Sequence, residues 1–393
     1  MEIGGAERAL LGLLEAIDKE QYDVDLFLMR HNGELLKYVP NAVHIMPEKK
    51  PYDCLAIPIV QVLKQRQFRL AIGRLIGKHR ATNRVKKLNL NDQNDVALEF
   101  SHKYTLPCMP LISEKEYDLA VSFLTPHYFV AKKVKAQKKV AWIHTDYSTI
   151  QVDVQSQFPM WDAYDRIISI SEACTASFMK VFPILENKID LIENIQPVDM
   201  ILKQADEFEV GWEMPDDGTI KILSVGRFSN AKNFDNVPDI CRRILKKGVD
   251  IRWYLIGYGG DEPLIRQRIS EAGMEDRVII LGKKENPYPY MKSCDLYVQP
   301  SRYEGNCVCV HEAQLLNKPV VISRYPTSGS QLRDGIDGII VSMDNEGCAE
   351  GIYSVLKNQA LRDKLIQGTQ QYDYSNRQEV EKLLKLIPVK TRT

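Results

Sequence analysis

The chain is 393 residues and 45.0 kDa, room for two domains with sizeable cores. Lys plus Arg and Asp plus Glu number 52 each, so the net charge is zero and a polyelectrolyte partner such as nucleic acid is not indicated. Eight cysteines, at 54, 108, 174, 241, 294, 307, 309 and 348, form no Cys-x-x-Cys pair and have no histidine at zinc-finger spacing; this argues against a structural metal or a disulfide scaffold and fits a reducing cytoplasm.

The chain opens with Met1-Glu2-Ile3-Gly4-Gly5-Ala6-Glu7-Arg8 and passes at once into Ala9 to Ile17, whose apolar residues sit at helical spacing. An α/β domain ordinarily opens with a strand, so the expectation is that a first strand is absent. No apolar run is long enough to span a membrane, and no basic segment followed by an apolar core marks a signal peptide. Strands are expected at 22–29, 118–124, 139–143, 166–171 and 189–192 in the first half. In the second half they are expected at 220–225, 251–256, 278–281, 296–299 and 319–322, with helices near 234–247, 263–272 and 310–316. Such alternation predicts a doubly wound α/β architecture with parallel sheets.

Between Asp53 and Asp92 there is no acidic residue, yet Lys64, Arg66, Arg69, Arg74, Lys78, Arg80, Arg84, Lys86 and Lys87 all occur. Phe68, Ala71, Ile72, Leu75 and Ile76 recur at helical spacing among them. Two readings stand side by side: a helix lying on an anionic membrane surface, with Arg69, Arg74, Lys78 and Arg80 as its contacts, or a core-facing helix with a basic solvent face.

Asn194, Pro197 and the turn Pro215-Asp216-Asp217-Gly218 mark a seam. The expected division is an N-terminal Rossmann-like domain over 1–197, a linker over 198–218, a second Rossmann-like domain over 219–372, and a helical tail over 373–393 packing back toward the first domain. Two such domains facing each other leave an interdomain cleft at the carboxyl ends of their strands, where ligands of this architecture bind.

Two clusters carry chemistry. Strand 220–225 ends in Gly226-Arg227-Phe228-Ser229-Asn230-Ala231-Lys232, so a glycine at a strand end is followed by two cations able to reach one pyrophosphate; alone, they are ordinary solvated loop charges. Further on, Glu304 in a turn with Gly305 and Asn306, and Glu312 in the following helix, suit sugar and ribose hydroxyls; alone, they are a capping and a helix glutamate. Cys307 and Cys309 would face one way if extended, as a metal or redox pair would, although packing beside the loop is the favoured explanation.

Gly226-Arg227 with Lys232, Gly257-x-Gly259, Glu304-Gly305 followed by Glu312-Ala313, and Lys318-Pro319-Val320-Val321 resemble the donor-binding half of family 4 glycosyltransferases, retaining enzymes of GT-B architecture. Gly4-Gly5-Ala6-Glu7-Arg8 is similar to that family's glycine loop, and Trp142-Ile143-His144-Thr145-Asp146-Tyr147 to the stretch bearing its active-site histidine. The resemblance implies that Arg227 and Lys232 neutralise a donor diphosphate, helped by Gly257 and by backbone amides after Gly4 and Gly5. It further implies that Glu312 holds the ribose, that Glu304, Gly305 and Asn306 hold the donor sugar, and that His144 and Glu304 act catalytically. The chain departs from the family in lacking an apolar strand before Gly4 and in reading Asn306-Cys307-Val308-Cys309 after the glutamate turn.

The reading that follows is a cytoplasmic or peripheral-membrane glycosyltransferase. It would move a sugar from a nucleotide-sugar, with a UDP-sugar as the expected donor, to a glycan or lipid-linked acceptor in cell-surface polysaccharide synthesis. No cofactor and no obligatory metal are expected, because two cations and helix amides can stabilise the departing diphosphate. The alternatives are a GT-B-type epimerase and a non-catalytic partner subunit of a transferase.

Overall fold

The computed structural model describes residues 1, 5–91, 94–304 and 307–388. Gly4, Gly305 and Asn306 lie outside the described residues. The chain forms two compact units: Met1–Pro197 together with the chain from Asn376, and Val198–Ser375.

In the first unit, β1 (Asp25–Leu26) and β2 (His44–Ile45) form a short parallel pair. A second parallel sheet runs β3 (Glu116–Ser122), β4 (Lys135–Ile143), β5 (Arg166–Ser169) and β6 (Ile189–Leu191), in that spatial order. Val140, Ala141, Trp142 and Ile143 on β4 are all buried, as expected of a parallel strand covered on both faces. One face is covered by an aromatic group of Tyr147, Trp161, Phe178 and Phe182. The other packs on Leu13 and Ala16 of α1 (Gly5–Ala16) and on Val380 and Leu383 of the returning chain end. Gly12 allows α1 to approach closely, since a Cβ there would stand 2.0 Å from the Ile195 carbonyl oxygen.

The basic segment folds as α2 (Ile59–Lys64) and α3 (Phe68–Leu88), the latter packed on α4 (Val96–Thr105). Its inward residues are Leu70, Ala71, Gly73, Gly77 and Ala81. A Cβ on Gly73 or Gly77 would lie 2.8 Å from Tyr104 O or 2.7 Å from Phe100 O, so the two glycines let the helices touch backbone to side. Phe68, Ile72 and Leu75, on the opposite face, are 58%, 56% and 54% exposed. The core-facing reading of that apolar stripe is therefore corrected, except at Ala71: small residues, not the large ones, supply the packing face. Arg74 also departs from expectation as a surface contact. Its guanidinium donates to the Cys54 and Ile57 carbonyls at 2.7 and 2.6 Å, an internal bracing role.

The second unit is one six-stranded parallel sheet. Its members are β7 (Ile220–Val225), β8 (Ile251–Ile256), β9 (Val278–Gly282), β10 (Leu296–Gln299), β11 (Val320–Ser323) and β12 (Ile339–Val341), in the order β12-β11-β10-β7-β8-β9. From β7 the chain first builds outward through β8 and β9, then returns to place β10 on the other side of β7. The sheet therefore has a topological switch point between β7 and β10, where a crevice opens at the carboxyl ends of the strands. The stretch expected as a linker opens with helix α5 (Val198–Ala205), whose Met200 and Ile201 are buried, and it belongs to this unit.

Candidate functional site

The loop leaving β7 is fixed first by its neighbours. Gly226 and Phe228 donate their amides to the Ile256 and Tyr258 carbonyls at 3.0 and 2.9 Å, which lays this loop along the one leaving β8. Gly257 has φ +154°, and a Cβ there would stand 1.9 Å from Gly226 O. Steric closeness of two loops thus accounts for glycine at 257. Across the switch point the β7 loop is tied to the β10 loop: Asn233, left-handed at φ +61°, donates from Nδ2 to Pro300 O at 2.8 Å, and Arg302 N donates to Ala231 O at 2.8 Å. The Arg302 guanidinium reaches both Asp235 oxygens, at 2.8 and 2.7 Å.

These ties bring Lys232 and Glu304 together, with Nζ 2.5 Å from Oε1. The same Oε1 accepts from Ser301 Oγ at 2.6 Å and from Gln299 Nε2 at 3.5 Å, and Thr327 Oγ1 donates to the Glu304 carbonyl at 2.7 Å. Gly226 is part of this geometry, because a Cβ there would sit 3.0 Å from Lys232 Cε. Lys232 Nζ also lies 3.7 Å from Cys307 Sγ. Burial pushes the Cys307 thiol up to about 12; Lys232 opposes this, while Glu304 and Glu312 add to it. That thiol is neutral at pH 7, so the charge opposing Lys232 there is the Glu304 carboxylate. Burial alone would lower the Lys232 pKa, while the Glu304 carboxylate, by charge and by hydrogen bond, raises it, and the net direction is upward.

Arg227 is exposed at the same strand end; its carbonyl accepts from Ser229 Oγ at 3.5 Å, and its guanidinium makes no ion pair or hydrogen bond among the described residues. Glu312 lies inside α6 (Val308–Leu315), buried, with Tyr288 donating its hydroxyl to Oε1 at 2.7 Å. Cys307 and Cys309 are free thiols, and no metal-holding group of His, Cys, Asp or Glu occurs among the described residues. Sequence reasoning missed Gln299, Ser301, Asn233 and Tyr288, the groups that orient the two glutamates and join the loops. Only Asn233 carried a signal, since asparagine tolerates the left-handed conformation.

The first unit holds the remaining candidates. Gly5 begins α1 with open space around its Cβ position, so sterics make no demand for glycine there. His144 follows β4 and lies between Phe123, 4.5 Å away by ring centroids, and Trp142, stacked at 6.3 Å. Its Nε2 has no hydrogen-bond partner among the described residues, and burial lowers its pKa to about 4. A neutral imidazole of this kind can exchange hydrogen bonds but cannot offer positive charge at pH 7.

A family model described as glycosyl transferases group 1 matches residues 211–372. An N-acetylgalactosaminyltransferase of Campylobacter jejuni, acting on a diphospho-undecaprenol-linked sugar by its name, is 28% identical over 185 residues, 45% of this chain and 50% of its own length. A lipopolysaccharide core biosynthesis glycosyltransferase of Rhizobium meliloti is 29% identical over 147 residues, 37% of this chain and 42% of its own. The chain thus matches half or less of these relatives' length. Among solved structures, Anabaena Alr3699/HepE in complex with UDP and glucose aligns over 97% of this chain and 96% of its own, with a TM-score of 0.57 at 14% identity. A Rickettsia africae glycosyltransferase aligns over 98% and 94%, with a TM-score of 0.57 at 15% identity. These likenesses establish the expected fold class, α/β with parallel sheets of the GT-B type.

Proposed function

We propose, on the match of residues 211–372 to the glycosyl transferases group 1 family model, that the chain is a retaining glycosyltransferase that moves a sugar from a nucleoside-diphosphate sugar to a glycan or lipid-linked acceptor. The donor is a UDP-sugar, no metal is obligatory, and the protein works at the inner face of the cytoplasmic membrane in cell-surface polysaccharide synthesis. No helix among the described residues is long and apolar enough to cross a membrane, so on this reading any membrane contact by them is peripheral.

The observation that supports the reading is the pairing of Lys232 with Glu304 at the switch point of the second sheet, on the loop that Gly226 and the exposed Arg227 open. A departing diphosphate gains negative charge in the transition state. Two cations on the loop leaving β7 stabilise that charge in place of a divalent ion. Lys232 is held on Glu304 before any donor arrives, so donor binding exchanges partners: the ammonium turns to the diphosphate, and the carboxylate is released to the sugar hydroxyls. Glu312 holds the ribose, and His144 contributes a neutral hydrogen bond near the transferred sugar.

The test is turnover of UDP-sugars by purified protein supplied with membrane extract. Arg227→Ala combined with Lys232→Ala should lower the rate at least about a hundredfold, corresponding to ~3 kcal/mol of lost transition-state stabilisation. Wild-type turnover in the double variant overturns the assignment; release of free sugar or an epimer without transfer points to a different reaction in the same crevice.

A further inference from the structure

The first unit carries a surface that the donor chemistry does not use. On an α-helix at about 100° per residue, Phe68, Leu75 and Ile76 lie within about 60° of Ile72, while Leu70, Gly77 and Ala81 lie on the far side against α4. The preceding helix α2 also exposes Val60 and Leu63. Six large apolar side chains thus stand in solvent on two consecutive helices, where isolated exposed residues would be unremarkable and a continuous group would not.

Charge decides what covers this face. Lys64, Arg66, Arg69, Lys78, Arg80, Lys86 and Lys87 are all exposed, and the sequence from Cys54 to Asn91 supplies no carboxylate to offset them. Arg69 and Arg80 border the apolar face along one side, and Lys86 and Lys87 extend the exposed basic residues to the C-terminal end of α3. A protein partner would need a long acidic surface with an apolar centre. An anionic bilayer offers both at once, acyl chains for the apolar residues and phosphates for the cations around them.

The geometry points to the α2–α3 face as a docking surface for an anionic phospholipid bilayer, with Val60, Leu63, Phe68, Ile72, Leu75 and Ile76 entering the interface and Arg69, Lys78 and Arg80 on headgroup phosphates. This deepens the reading above and rests on it only for why a bilayer matters, namely that the acceptor is presented there. Arg84, one turn beyond Arg80 on α3, holds Asp153, the residue capping the helix Val154–Asp162 that follows the loop after His144.

Co-sedimentation of the full chain with vesicles of mixed phosphatidylglycerol and phosphatidylcholine tests this, alongside UDP binding on the same preparations. The wild type should sediment with anionic vesicles, less so as salt rises, and little with pure phosphatidylcholine. Arg69→Glu, Lys78→Glu and Arg80→Glu together should weaken binding at least about a hundredfold, each cation being worth roughly fivefold. Phe68→Ser with Ile72→Ser, both solvent-facing, should weaken it roughly tenfold without changing the melting temperature or UDP binding. No vesicle binding by the wild type, or equal binding by the charge-reversed variant, overturns the proposal. So does a dimer that the serine substitutions dissolve in the absence of vesicle binding, since that assigns the face to a second copy. Loss of UDP binding by the wild type would instead strike the donor reading and leave the surface standing.

Discussion

At the strand ends of the second unit, charges taken out of water are paired: Lys232 with Glu304, Arg302 with Asp235, Arg333 with Asp337. At and beside the strand ends of the first unit, titratable groups are kept uncharged instead. Burial lowers the pKa of His102 and His144 to about 4 and that of His127 to about 3, and raises the pKa of Glu99 to about 7. The two units thus keep polar groups in different ways: a paired, protonated lysine at a strand end can exchange its partner for an anion such as a diphosphate, whereas the buried imidazoles and the Glu99 carboxyl of the first unit are held in its interior as largely uncharged hydrogen-bonding groups.

Acid should break the comparison most strongly. The three histidines stay neutral in the folded chain down to about pH 3 to 4, while the unfolded chain protonates them near pH 6.5. Their contribution is present above pH 6.5 and is lost as pH falls toward 4, by up to about 4 kcal/mol per pH unit for the three together. Glu99 acts in the opposite sense, since the folded chain holds its proton up to about pH 7 and the unfolded chain releases it near 4.5. Melting curves from pH 8 to pH 5 should show a net loss on acidification, lost first from first-unit probes such as Trp142 and Trp161. A pH-independent first unit would contradict the account.

Glu99→Gln isolates the opposing group. Tyr128 and Ser156 donate to Glu99 Oε1 at 2.6 and 2.5 Å, and a glutamine oxygen can still accept both. The variant should be more stable than wild type at pH 8 by about 2 kcal/mol, with the gain vanishing below pH 5. A gain that persists at pH 5 would assign the effect to packing instead.

Smaller effects separate the two glutamates of the second unit. Glu312→Gln keeps an acceptor for Tyr288 but loses charge, so it should raise the donor dissociation constant about tenfold, ~1.4 kcal/mol. Glu304→Gln should change discrimination among nucleotide sugars as well. Identical defects in the two would merge their roles. His144→Ala should lower the catalytic rate and barely move donor affinity. A variant with a lower melting temperature and an unchanged rate per folded molecule would return His144 to packing between Phe123 and Trp142.

The strands were legible where short, mostly apolar runs stood between turn signals: β7, β8 and β10 fall on their expected limits, because a parallel strand covered on both faces favours apolar residues over most of its length. β1 lies inside the strand expected at 22–29 but keeps only two residues of it, while β2, also two residues long, carries too little periodicity to be read. In α3 the apolar spacing was visible but its direction was not, because the packing face is built from Gly73, Gly77 and Ala81, which no hydrophobic pattern reports. The candidate site was legible as residue types on one sheet edge. Its wiring was not, since Lys232 and Glu304 meet through contacts such as Asn233 to Pro300 and Arg302 to Ala231, formed across the switch point by residues far apart in sequence.

The central claim is that Arg227 and Lys232 receive the diphosphate and that Glu304 holds Lys232 until it arrives. Calorimetric titration of UDP into wild type, Arg227→Ala, Lys232→Ala and Glu304→Gln tests it directly. Either cation lost should weaken UDP binding at least about tenfold, while Glu304→Gln, which frees Lys232, should bind UDP as tightly as wild type or more so. UDP affinity unchanged in both alanine variants, with their melting temperatures intact, would contradict it.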